Sequence, residues 1–129
     1  MKRVFALLAV LMLLTGCAGL QNVSVSDLRN EKNKVAEGEI QASIPQIQQA
    51  IYDYAQKCWD IGQISVNPAN PTEAQYVAYG PGWTEASAML LIDIEQVGNV
   101  SKYRGYVYYI TWKRHVDKTI LIMKGQATC

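Results

Sequence analysis

The chain has 129 residues, 50% of them hydrophobic and 18% charged, with a formal net charge of +1. That is room for one small domain, with an apolar share ordinary for a globular fold. The absence of a basic excess argues against nucleic-acid binding and against a polybasic membrane patch.

In chain order, Lys2 and Arg3 precede an apolar run from Val4 to Leu14, the charged start and hydrophobic centre of a secretory signal. The run is too short to cross a bilayer, which takes ~20 apolar residues. It ends in Leu14-Thr15-Gly16-Cys17 in place of an Ala-x-Ala cleavage site. This stretch resembles the lipobox of bacterial lipoproteins, and the resemblance covers Met1 to Cys17. It implies that residues 1–16 are a signal peptide and that Cys17 becomes a lipidated N-terminus, its thiol diacylated and its amine acylated, with palmitate among the chains. Loss of Lys2 and Arg3 then takes the formal charge from +1 to about −1. Each buried methylene contributes about 0.8 kcal/mol, and two chains already hold a protein stably on a membrane. Ala18 and Gly19 offer no acidic retention signal, so the family's sorting rule implies the outer membrane, facing the periplasm.

With Cys17 taken by lipid, Cys58 and Cys129 remain as an even pair in an oxidising compartment, and a disulfide between them is predicted. A cysteine at the last residue acts as a pin for a terminus that would otherwise fray. These cysteines and the lone His115 lack metal-ligand spacing, and no cofactor fingerprint occurs.

Residues 17–34 are polar and of mixed charge, and read as the lipidated cysteine and a flexible tether; a short helix capped by Ser26 is the alternative. Residues 35–129 form the globular periplasmic domain. Val35 to Ala42 is a short strand weakened by Gly38. Ser43 and Gln46 then make a capping box with Pro45 in the first turn. Ile44, Ile47, Ile51, Tyr54 and Cys58 fall on one face of the helix that follows. Gln63 to Asn67 alternates as a strand, Pro68 and Pro71 bracket a loop, and Ala74 to Tyr79 is another strand. It leads into the Gly80-Pro81-Gly82-Trp83 turn.

Ser87 to Glu95 and Lys102 to Ile110 flank a Gly98-Asn99 hairpin signal. Pairing Val97 with Val100 sets Glu95 opposite Lys102 and Asp93 opposite Arg104, two opposite-charge pairs on one face. The other face carries Ala88, Leu90, Ile92 and Ile94 against Tyr103, Gly105, Val107 and Tyr109. A one-residue slip destroys both patterns. Met89, Leu91, Tyr106 and Tyr108 share the charged face, which is therefore expected to be half covered.

The last segment reads two ways. Trp112, Val116, Ile120 and Met123 follow helical spacing up to Gly125, whereas Thr119 to Ile122 also reads as a buried strand. The helix is favoured because Arg114, Asp117, Lys118 and Lys124 fall outside the apolar stripe. The sum is an α+β fold: a small antiparallel sheet of about four strands, with an N-terminal and a C-terminal helix packed on one face. Its element order resembles the helix-grip modules of envelope lipoproteins, including the repeated domains of the outer-membrane assembly lipoprotein BamC. No residue roles follow from that.

No catalytic constellation is visible, and the chain does not read as an enzyme. His115 lacks a nucleophile in any motif, and Asp93 and Glu95 are accounted for by the hairpin. Tyr76, Tyr79 and Trp83 either stack on a sugar or partner strand or cap the core. The expected function is a non-catalytic binding or accessory role in envelope assembly. The expected partners are the membrane, through the lipid, and an envelope protein or cell-wall component. The alternative is an inhibitor of a cell-wall hydrolase such as lysozyme.

Overall fold

The computed structural model describes residues 22–60, 62–80 and 86–129. In chain order these form helix α1 (Val25–Leu28), strand β1 (Lys34–Ile40), helix α2 (Ile44–Ala55), strands β2 (Gly62–Asn67), β3 (Asn70–Gly80), β4 (Ser87–Val97) and β5 (Val100–Val107), and helix α3 (Lys113–Met123). All strand pairs are antiparallel, in the order β1-β5-β4-β3-β2. The α+β architecture is the expected one, with five strands where about four were predicted.

Strand β1, expected as a short strand weakened by Gly38, is a full member of the sheet. Its Gly38 lies opposite Tyr103, and a Cβ there would sit 2.8 Å from the Tyr103 hydroxyl. The missing side chain is what lets the tyrosine lie over the strand, so the glycine fits the sheet where the sequence suggested weakening. The Pro68–Pro71 loop shrinks to a two-residue turn, with Pro71 already inside β3 but outside the paired stretch with β4, which begins at Glu73.

The β4–β5 register is the predicted one: Val97 pairs with Val100, Glu95 with Lys102 and Asp93 with Arg104. Gly98, at φ +65°, supplies the positive φ that a two-residue hairpin turn needs. Leu90, Ile92, Ile94 and Val107 all enter the main core. Ala88 does not: the β3–β4 register shifts between Ala78 and Tyr79, and Ala88 joins the opposite face with Leu91 and Tyr106. Such a bulge turns the following side chains over.

One sheet face is covered by α2 and α3. Ser43 and Gln46 form the reciprocal capping box of α2, and the Ile44 N–H donates to Gln96 Oε1 at 2.8 Å. The helix buries Ile44, Ile47, Ile51 and Tyr54 against Ile92, Ile94, Val107 and, from α3, Val116, Ile120 and Met123. Each such side chain contributes roughly 1.5–3 kcal/mol. The ambiguous C-terminal stretch is helical, as favoured. Its end closes with Gly125 N–H to Ile122 O and Gln126 N–H to Leu121 O, a Schellman pair. Cys58 and Cys129 form the predicted disulfide across 71 residues, with Cα atoms 5.5 Å apart. Helix α2 ends at Ala55, and Cys58 sits in the turn beyond it, its N–H still bonded to Tyr54 O at 2.8 Å.

The second face departs from expectation. The segment read as a tether is part of the fold from Asn22 onward. Val23 and Leu28 are buried with Val77, Ala88, Leu91 and Tyr106. The Val23 N–H donates to Ser87 Oγ and its carbonyl accepts from the Ala88 N–H. The capping residue of α1 is Ser24, reciprocated by Asp27, where the alternative reading had Ser26. Apolar side chains on this sheet face are covered by Val23 and Leu28 from an otherwise polar stretch.

Candidate functional site

Helix α1 covers only part of that second face. The remaining part is polar, and the strand registers arrange it in two rows. One runs Ser65, Gln75, Asp93, Arg104 and Glu37; the next runs Glu73, Glu95, Lys102 and Glu39. Over β2 to β5 these side chains line a groove of about 680 Å³, bounded by Arg29.

Arg29 is placed by the end of α1, where it forms the C-cap. The Asn33 side chain donates to the Asp27 and Leu28 carbonyls, fixing the chain's exit. From there the guanidinium reaches across the sheet. Its Nε donates to Asp93 Oδ2 at 2.8 Å, and its Nη2 to Asp93 Oδ1 and to Gln75 Oε1, both at 2.9 Å. The hydrogen bond to Asp93 holds the guanidinium pKa above its ordinary value, against a smaller desolvation effect. This bidentate fork fixes both carboxylate oxygens.

The predicted cross-strand ion pairs are therefore corrected. The register places Arg104 opposite Asp93, but the carboxylate is taken by Arg29. Among the described residues, Glu95, Lys102 and Arg104 hold no ion pair, and all three are exposed on the groove. Glu73 stands directly opposite Glu95, a like-charge placement that opposes folding. Asn67 Nδ2 donates to Glu73 Oε2 at 3.0 Å, which eases one of the two. The groove thus has acids on β3 and β4 and cations on β5.

Of the predicted binding aromatics, Tyr76 is fully buried on the helix side of the sheet. Its hydroxyl donates to Asp60 Oδ1 at 2.7 Å. Burial, then the Asp60 hydrogen bond and charge, push its pKa well above the usual tyrosine value. It belongs to the core and presents no ring surface to a ligand, so the expected binding role is corrected for it. Tyr79 is exposed, and the odd separation puts it on the other face from Tyr76. Trp83 and the lipobox with Cys17 lie outside the described residues.

His115 is half-buried beside Trp112, ring centroids 5.1 Å apart. Burial, then Arg114 and Lys118, lower its pKa. Asp117 does not orient it: Lys113 Nζ donates to both Asp117 oxygens at 3.0 and 2.8 Å. Arg29 and Gln75 were not among the expected site residues. The signal for Arg29 was present in Ser24-x-x-Asp27, a helix-start pattern followed at once by buried Leu28.

No protein-family model matches this chain, and no curated protein matches it either.

Proposed function

We propose that this chain is an outer-membrane lipoprotein anchored through Cys17, facing the periplasm, with a non-catalytic binding role as an accessory or assembly factor. The observation that carries the binding role is the groove: exposed charges of both signs, Glu95, Lys102 and Arg104, that hold no ion pair among the described residues, with one wall locked by the Arg29–Asp93 fork. Rigid strands holding exposed polar side chains suit recognition of a partner surface. The arrangement around His115, whose neighbouring carboxylate is held by Lys113, supports a non-catalytic reading.

On this reading an anchor at Cys17 limits how far the domain stands from the membrane. Val23 is already packed on the sheet, so the chain from Cys17 to Val23 reaches at most ~20 Å, at roughly 3.5 Å per residue. The domain is then held close to the lipid surface, and its partner is met there.

Two measurements test this. Substituting Cys17→Ser should release the protein from the outer-membrane fraction. A photo-reactive residue at Lys102, with a control at exposed Gln49 on α2, should give a discrete adduct in intact cells from position 102 alone. Recovery of the protein uncrosslinked from both positions would sink the binding role.

A further inference from the structure

The two edges of the sheet are built differently. Edge strand β1 carries Lys34, Glu37 and Glu39 and a register shift between Lys34 and Ala36. Lys34 is paired with both Glu31 and Glu37. Charges and bulges of this kind discourage another strand from adding. Edge strand β2 reads Gly-Gln-Ile-Ser-Val-Asn, with neither charge nor proline, and its register shift is confined to the last step, Val66 to Asn67. Among the described residues, β2 pairs with β3 alone, so alternate residues direct N–H and C=O groups to an open edge.

The side chains on either face of that edge say what would fit. Ile64 and Val66 are half-buried and pack against the main core, so an added strand gains by placing apolar side chains beside them. On the groove face, Gln63, Ser65 and Asn67 are uncharged and exposed. Strands lie about 4.8 Å apart. Glu73 on β3 is then about 10 Å from an added strand and Lys102 on β5 about 19 Å, with a screening length near 8 Å. With Asp93 neutralised by Arg29, Glu73 is the nearest groove charge without an ion pair among the described residues, and the long side chain of a Lys or Arg on the added strand extends toward it and shortens that separation.

We infer that the free edge of β2 accepts an extended segment of an envelope protein in which apolar residues alternate with Lys or Arg. The apolar side chains lie beside Ile64 and Val66, and the basic ones face Glu73. The added strand supplies main-chain hydrogen bonds for affinity and alternate side chains for specificity. This inference rests on the binding-module reading and names the partner's chemistry.

The test uses the purified full-length protein and two fluorescein-labelled, end-blocked peptides: Thr-Val-Lys-Val-Lys-Thr and Thr-Val-Glu-Val-Glu-Thr. Anisotropy should show the basic peptide binding about tenfold tighter. It should also slow amide exchange across residues 62–67. Ser65→Lys, which gives β2 the kind of charge β1 carries, should weaken binding about tenfold with an unchanged melting temperature. Gln63→Lys replaces it if the first variant melts early. Glu73→Gln should shrink the preference for the basic peptide.

Binding lost in Lys102→Ala, with no slowing at 62–67, would overturn strand addition and leave the binding-module reading intact. Slow exchange at 62–67 that grows with protein concentration and no peptide would assign the edge to a second copy instead, also overturning the inference. Failure of both peptides, alongside a crosslinked adduct at position 102, would reject the edge but not the groove.

Discussion

Arg29 grips both carboxylate oxygens of Asp93 from a position 64 residues away in sequence. This fork ties the N-terminal segment to the centre of the sheet and fixes one wall of the groove. Both side chains are partly solvated, 43% and 32% exposed, so a double-mutant cycle of Arg29→Ala and Asp93→Ala should give a coupling of about 1 kcal/mol. The coupling should weaken as salt is raised. Urea unfolding at two ionic strengths checks both.

Leu28 is 0% exposed. Leu28→Ala should therefore destabilise the protein by about 2–4 kcal/mol, the range for emptying a packed leucine site. A leucine in a solvated tether would cost nothing, so denaturant midpoints for this single variant separate the two arrangements.

The Cys58–Cys129 bridge closes a loop of 71 residues. Replacing both cysteines with serine should lower stability by about 4 kcal/mol on the chain-entropy model. The wild-type protein should resist thiol alkylation at both positions until reduced, as read by mass.

Tyr76 makes alkaline pH informative. In the fold it holds its proton to higher pH than an unfolded tyrosine, whose value is 10.0. Its contribution to stability is therefore complete below pH 10 and is lost as pH rises from there through the folded value. Tyr76→Phe should remove that dependence, at a cost of about 1–2 kcal/mol at neutral pH for the lost hydrogen bond. Absorbance titration of the variant should lose one tyrosine that ionises above the ordinary value.

What the sequence alone determined were the features set by local period and pairing. The capping box and the 3,4 spacing of Ile44, Ile47, Ile51 and Tyr54 specify α2 and its buried face. The charges and alternation about Gly98 specify the β4–β5 register, since any slip reverses every side chain. The Cys58–Cys129 pairing is expected from the parity left when Cys17 is set aside, and the bridge is present. What only the tertiary structure decided were the features whose partners lie far apart in the chain. A bulge near Ala78 moves Ala88 to the other face, and no local pattern marks it. Tyr76 is core because Asp60, in a loop, satisfies its hydroxyl. Arg104 holds no ion pair among the described residues because the end of α1 places Arg29 on Asp93. A polar segment and a half-apolar sheet face each look incomplete in sequence, and only their docking, driven by burial of Val23 and Leu28, makes the groove.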